Sequence, residues 1–510
     1  MFNALPMTDR PANVDEKIER AMGENAVILT TLVVYKFVLI GIGVWASRLN
    51  KTEGDFFLAG QGLGPWVAGL SYAASTSSAW VLLGFSGFVY AVGLSALWMV
   101  PGVWAGYVVM WLYFGPRLRD ETAREGHVTL TDFMITRVRT GWKLPVAVLS
   151  AVLILFCFVF YIAAQFGAAA VAFESQFDLP RLESVLIGAA VVLFYGLLGG
   201  FWAVSITDTL QGFIMALIAV ILPIVALTAA GGPAEVWSTL AASAPPEYLD
   251  WAGGRAGLVV FGFIIGVASV GLGTFGQPHL MSRLMALKDD KARRQGFIVA
   301  MSWAVLVYAG MITLALSGRA LFETIGNGEA LFYRVATDYL PPALAGIVIA
   351  SVLSAVMSTV DSILLSASAA AAHDMRLARR WPGREVLVGR IVMVSIGVLA
   401  VILTLTLDAT IFDRVLFAWS ALGAAFGPVV LIRVMGREPD GLAIFTAIIL
   451  GFGTTVLFYA FGQVGSDGRG LAGFLAFLAS IPGDPFERFV PWLAPMALLF
   501  LRSHRVETET

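Results

Sequence analysis

About thirteen stretches of this 510-residue chain are almost wholly apolar and long enough, at roughly twenty residues, for an α-helix to cross the hydrocarbon of a bilayer. They lie near 26–46, 64–91, 94–115, 145–172, 182–199, 201–229, 256–280, 296–317, 341–371, 387–407, 411–434, 441–462 and 487–501. Inside hydrocarbon every backbone polar group must find a partner within the chain, so runs of this kind fold as helices. The chain therefore reads as an all-α polytopic membrane protein. Its charge content of 13% agrees, because a soluble domain carries about a quarter charged residues.

The remaining segments are short. Residues 1–25 form a polar N-terminal segment without the basic start and apolar core of a cleaved signal peptide. Asn13 is placed to cap a short amphipathic helix over 14–22. The apolar core covers 26–462. The region 463–501 holds a short apolar segment at 470–482, read as a half-span or lid, and the last helix. The polar tail 502–510 is expected to be disordered. In the stretch 116–143, Thr129 or Thr131 would cap a short helix lying on the membrane surface.

Lys and Arg are distributed unequally between alternate loops. One set, which includes Arg117, Arg283, Arg293, Arg376 and Arg433, holds about twice as many as the other, and the richer set marks the cytoplasmic side. The N-terminus then faces out and the C-terminus in. That arrangement requires an odd number of spans and agrees with thirteen. A multi-pass protein of the cell's inner, cytoplasmic membrane follows.

Several classes of function are excluded. Cys157 is the single cysteine, so no intrachain disulfide can form. The four histidines lack metal-site spacing, and no transition metal is expected. There is no phosphate loop, no nucleotide motif, no basic nucleic-acid patch and no nucleophile–base pair. The chain is thus not an enzyme and needs no cofactor. An ion gradient is the energy source that remains.

Residues 351–372 carry the strongest chemical signal. Ser358 and Thr359 place two hydroxyls side by side, and Asp361 follows within a turn. Ala355, Ser358, Ser362 and Ser366 share one helix face, which is small and rich in oxygen. Hard cations such as sodium take oxygen ligands, and a carboxyl inside a span points to an ion or substrate path.

Two further spans look interrupted. Residues 73–79, AASTSSA, would let a helix unwind and free its carbonyls, or would allow close helix packing. Gly266, Gly271, Gly273, Gly276 and Pro278 argue for a second break or kink. Five spans separate the two, and paired interruptions in corresponding positions mark the binding site of an inverted-repeat transporter. Asp208 lies between two threonines, with Ser205 and Gln211 on its face. Tyr161 and Gln165 are one turn apart. Lys36, inside the first span, either snorkels outward or pairs within the bundle.

The runs SYAASTSSAW, GGFWAVSITDTLQ, FGQPHLMSRLMA, AVMSTVDSILLSASAA and AWSALGAAFGPVVL resemble the sodium/solute symporter family, most closely its sodium/proline branch. The resemblance runs from about Gly54 to Val434. It implies a five-plus-five inverted repeat of the leucine-transporter type, with repeats at about 64–229 and 256–434 and one extra span ahead of them. It also implies a sodium site made by the carbonyls of Ala74, Ser77 and Ala355 and the hydroxyls of Ser358 and Thr359. Asp208 matches the family's coupling aspartate. The solute would meet Ser75, Thr76, Ser78, Trp80, Tyr161, Val270, Thr274 and Gln277.

The sequence departs from the proline branch at two places. Thr76-Ser77 stands where that branch has Asp-Met, so a carboxylate is missing there, and Asp361 would supply the charge from across the site. Val270 and Thr274 replace aromatic residues and reshape the pocket. The expectation is a sodium-coupled symporter of a small organic solute, proline or a related amino acid, working as a monomer in the lipid bilayer. Its rivals are a proton-coupled transporter of the same fold and a solute sensor without flux.

Overall fold

A computed structural model describes residues 14–47, 57–177, 179–196, 200–377, 381, 384–407, 410–464 and 470–505. Helices dominate. The principal ones are α1 (Val14–Ser47), α2 (Pro65–Ala79), α3 (Met99–Val108), α4 (Leu130–Ile135), α5 (Thr140–Phe177), α6 (Arg181–Gly196), α7 (Phe201–Ala229) and α8 (Leu258–Ala268). They continue with α9 (Pro278–Met285), α10 (Asp290–Leu321), α11 (Pro342–Ala369), α12 (Glu385–Thr406), α13 (Ile411–Val434), α14 (Gly441–Val464), α15 (Gly470–Ala479) and α16 (Val490–Leu501).

Among the described residues, ten helical stretches are long and apolar enough to cross a membrane. One of them, Pro65–Glu125, is 61 residues long and contains the second and third expected spans. Helices α6, of 16 residues, and α16, of 12, are shorter than the roughly twenty residues of a full crossing.

Burial separates centre from rim. In α13 94% of the apolar window is buried inside the protein and in Pro342–Asp374 83%, against 19% for Leu29–Ala46. Helices α11 and α13 are therefore central, and α1 presents most of its surface outward. Helix α2 is enclosed by α7, α10 and α11.

Two central helices are broken, each where the sequence lacks bulk. In α2 the break falls at Ser78 (φ 49°, ψ −170°). This conformation costs a residue other than glycine about 1–3 kcal/mol and persists only where its surroundings impose it. The chain resumes through a π-turn at Trp80–Phe85, a distortion common at functional sites. The second break begins where α8 ends. A short turn at Val270–Gly273 and a 3-10 turn at Thr274–Gly276 lead to Gln277 in extended backbone (φ −89°, ψ 106°). Pro278 then opens α9, since a proline forces its predecessor out of the helical region and suits a first helical position.

The glycines beside this break serve packing. A Cβ on Gly273 would stand 2.0 Å from Trp419 Cδ1, and one on Gly276 would stand 2.0 Å from the Leu422 carbonyl oxygen. Their absent side chains let the break press directly on α13.

Three expectations change. The N-terminal helix does not stop after residue 22, because α1 runs unbroken to Ser47; Asn13 and the rest of 1–13 lie outside the described residues, as does the Lys36 side chain. The tail is ordered in part. Ser503–Arg505 pairs antiparallel with Arg437–Pro439, and Arg437 Nε donates to Ser503 Oγ at 2.8 Å. Arg283 is no loop cation, being 1% exposed within α9. The short helix expected within 116–143 forms as α4, with Thr129 as its cap in a reciprocal capping box with Asp132.

Candidate functional site

The break in α2 faces α11, and Ser75 is the meeting point. Its Oγ lies 3.1 Å from Ser362 Oγ and donates toward the Ser358 carbonyl at 3.4 Å. Its own carbonyl accepts from Thr359 Oγ1 at 3.4 Å. Ser358 Oγ donates to the Ala355 carbonyl at 3.2 Å. Ala74 precedes Ser75, and Ser77 follows two residues on. The Ser77 hydroxyl is buried without a hydrogen-bond partner, and the Ser77 carbonyl accepts from the Trp80 N–H. A carbonyl has a second lone pair to offer. The seam thus brings neutral oxygen atoms of Ser75, Ala355, Ser358, Thr359 and Ser362, all buried, together. Such a set suits a small hard monovalent cation.

Beside the seam lies a buried ion pair. Arg283 Nη2 donates to Asp208 Oδ2 at 2.8 Å and to Ser75 Oγ at 3.0 Å, and Nε donates to Ser71 Oγ at 3.0 Å. The same guanidinium reaches Ser362 Oγ and the His279 carbonyl. Ser71 Oγ donates to Asp208 Oδ2 at 2.7 Å. Four helices, α2, α7, α9 and α11, are tied together here through one side chain. Asp208 and Arg283 are 0% and 1% exposed; Oδ2 collects the donors that replace water, while Oδ1 is buried without a hydrogen-bond partner.

The expected neighbours of Asp208 are corrected. Ser205 Oγ and both amide atoms of Gln211 have no hydrogen-bond partner; the carboxylate is served by α2 and α9 instead. Residues on one helix face are aligned, but the network is made across helices. Asp361 is also buried in α11, outside the hydrogen bonds of Arg283.

On the other side of the break is a narrow cavity. It is lined by five of the residues expected to meet a solute, Thr76, Trp80, Tyr161, Val270 and Thr274. Ser75, Ser78 and Gln277 lie outside its lining. Ser75 belongs to the seam. Ser78 Oγ accepts from the Trp80 N–H at 3.0 Å, which supports the strained turn. Gln277 Nε2 donates to the carbonyls of Gly273 and Trp419, each at 3.0 Å, so it pins the second break to α13. Gln165 holds the first break, since its Oε1 accepts from the Ala79 N–H at 3.3 Å.

Trp419 and Tyr308 complete the aromatic wall and were not singled out from the sequence. Trp419 Nε1 donates to the Val270 carbonyl at 2.8 Å, and its ring meets that of Tyr161 edge-on, with centroids 6.4 Å apart. Beyond the cavity, Trp80 stacks on Phe412 at 5.9 Å. The Phe412 N–H at the start of α13 donates to Glu329 Oε1 at 3.1 Å, and burial pushes the Glu329 carboxyl above the usual glutamate range.

Two broken helices, an oxygen seam and an aromatic cavity define a class of membrane transport proteins. A Na+-coupled sialic acid symporter, solved in a substrate-bound outward-open state, has the same fold, with a TM-score of 0.77 at 15% identity over 94% of this chain and 99% of the other. MHP1, a nucleobase-cation-symport-1 family transporter, superposes with a TM-score of 0.53 at 13% identity over 89% of this chain and 95% of that one. These are transporters of the leucine-transporter type. Residues 56–462 match the sodium:solute symporter family, and the chain belongs to that family. It is 32% identical to the osmoregulated proline transporter OpuE of Bacillus subtilis over 450 residues, 86% of this chain and 90% of the relative. The sodium/proline symporter of Escherichia coli is also 32% identical, over 457 residues, 87% of this chain and 90% of the relative. The protein is a multi-pass membrane transporter and not an enzyme.

Proposed function

We propose that the protein couples inward movement of sodium to uptake of a small organic solute, with proline or a related amino acid as the first candidate. The observation that carries this reading is the seam between the broken α2 and α11, where Thr359 Oγ1 reaches the Ser75 carbonyl. A sodium ion there takes the carbonyls of Ala74, Ser77 and Ala355 and the hydroxyls of Ser358 and Thr359. Entering from outside, it replaces the weak contacts between the two helices with ion–oxygen bonds and fixes the unwound turn at Ser78. That turn shapes the cavity of Trp80, Tyr161, Val270 and Thr274, so ion and solute favour the same conformation and each raises the affinity for the other.

The cavity has walls that stand close together in this conformation, so a solute the size of an amino acid must part Trp80, Tyr161 and Trp419 as it binds. Its aromatic walls suit an apolar ring, and backbone groups freed at the two breaks suit a carboxylate and an ammonium. Val270 and Thr274 leave more room than aromatic residues would, so related solutes compete with proline.

Alternating access moves α2 and the second break against the surrounding helices around this fixed site. Thirteen spans, an outer N-terminus, an inner C-terminus, two inverted repeats over 64–229 and 256–434, and a monomer in the inner membrane complete the reading. Each sodium charge moved supplies about 2.3 kcal/mol per 100 mV of membrane potential. The proton-driven alternative needs a carboxyl that loads and unloads freely; Asp208 is held by Arg283, so that alternative would turn on Asp361. Labelled proline uptake into proteoliposomes tests the reading. Uptake at least several-fold faster with an inward sodium gradient is expected; equal uptake with and without it contradicts sodium coupling.

A further inference from the structure

A second polar centre lies at the end of α11 remote from the solute cavity, on the face that the loop charges assign to the cytoplasm. Helix α11 passes into a π-turn over Ala370–Asp374, which carries His373 and Asp374. Against it lies α4, whose cap residues are Thr129 and Asp132. One ligand atom each from Asp132, His373 and Asp374 fall within 4.8 Å of one another. His373 Nε2 is 3.1 Å from Asp132 Oδ2. Asp374 is 5% exposed; its Oδ1 accepts from Thr129 Oγ1 at 2.8 Å, while its Oδ2 is buried and has no hydrogen-bond partner. A crevice lined by Thr129, Thr131, Ser366 and Asp374 leads to it.

We propose that Asp132, His373 and Asp374 form a regulatory site for a divalent transition ion such as zinc or manganese. A carboxylate oxygen without a donor inside protein is costly, and two carboxylates this close repel. One cation between them removes both penalties. The donor set selects the ion, because imidazole with two carboxylates suits zinc or manganese, whereas sodium and magnesium prefer oxygen alone. Ligand atoms around such an ion sit about 2.0–2.2 Å from it. Atoms at that length from one ion in a tetrahedral shell lie about 3.4 Å apart, so the most distant of the three must close by up to roughly 1 Å, and water completes the shell. Sequence spacing hides the site, since His373 lies 241 residues from Asp132 and only helix packing brings them together.

The bound ion clamps α4 to the end of the helix that carries Ser358 and Thr359. Because α2 and the second break must move against α11 during the cycle, stiffening this end of α11 slows transport. This consequence rests on the proposed symport, whereas the site itself does not.

The test is equilibrium dialysis of the purified, metal-stripped full chain against ZnCl₂ and MnCl₂, repeated with His373→Gln and with Asp374→Asn. Asp132 is left intact because it also closes the α4 cap. One ion per chain at micromolar concentration is expected, weakened at least ten-fold in each variant. Proline uptake into proteoliposomes is then measured with zinc on the cytoplasmic side. The intact protein should slow several-fold and His373→Gln should not respond, with equal uptake in zinc-free buffer. Absence of binding at 100 μM metal, or binding unchanged in both variants, overturns the site. Normal binding without zinc-sensitive uptake overturns the clamp alone, and absence of uptake in zinc-free buffer counts against the symport reading, with dialysis still deciding the site.

Discussion

Replacing Asp208 by Asn should be among the most damaging conservative changes in this protein, and more damaging than replacing its partner. Asp208→Asn keeps shape and most hydrogen-bonding capacity but leaves the Arg283 guanidinium, 1% exposed, without a counter-charge. Breaking a buried pair in this way costs about 3–5 kcal/mol. A guanidinium cannot escape by losing its proton. Arg283→Met leaves a buried carboxyl, and a carboxyl can take up a proton and become neutral. Its cost is then mainly that of the donors lost to the Ser71, Ser75 and Ser362 oxygens and the His279 carbonyl, about 1–3 kcal/mol, while each hydroxyl keeps the bond it donates. The double variant should recover about half or more of the Asp208→Asn loss, because no charge remains buried. Thermal unfolding of the detergent-solubilised protein, followed by size-exclusion fluorescence, measures all three. Equal losses for the two single variants, or a double variant that loses the sum of both, would refute the claim that an unpaired guanidinium dominates the cost.

Three further outcomes follow from the same geometry. Ser78→Gly should be more stable than Ser78→Ala by about 1 kcal/mol, since both lose the contact to the Trp80 N–H but only glycine adopts φ 49° without the penalty other residues bear. Gly276→Ala places a methyl 2.0 Å from the Leu422 carbonyl oxygen; it should cost about 1–3 kcal/mol and weaken solute affinity measured by tryptophan fluorescence, because α13 and Trp419 must shift. Burial raises the Glu329 carboxyl, so the folded state holds its proton to higher pH than the unfolded chain. Glu329 therefore contributes stability below the ordinary glutamate pKa that is lost as pH rises through its folded value. Glu329→Gln should remove that part of the pH profile in unfolding scans.

Much of this architecture was legible in the sequence because hydrocarbon leaves so few choices. Long apolar runs must be helices, and the small residues at 73–79 and the Gly–Pro cluster at 266–278 sit at the observed breaks. Thr129 was readable as a cap because the S/T-x-x-D pattern is local. The Arg283 network was not. Its partners Ser71, Asp208 and Ser362 come from three other helices, and Arg283 sits seven residues beyond the second break in a run that reads as loop. Trp419 was hidden for the opposite reason. A tryptophan in an apolar span is ordinarily core, and only the glycine at 273, which makes room for its ring, gives it a place at the cavity. The tail strand at 503–505 lacks any apolar pattern; it is held by Arg437, and pairing between polar residues leaves no periodic signal.

Direct binding of ²²Na to the purified protein tests the oxygen seam most closely. The intact chain should bind sodium saturably, and Thr359→Ala, which removes a single neutral hydroxyl, should raise the sodium Kd at least ten-fold, equivalent to about 1.4 kcal/mol, with unfolding temperature nearly unchanged. Sodium affinity that is the same in Thr359→Ala and in the intact protein would show that the ion does not rest between α2 and α11.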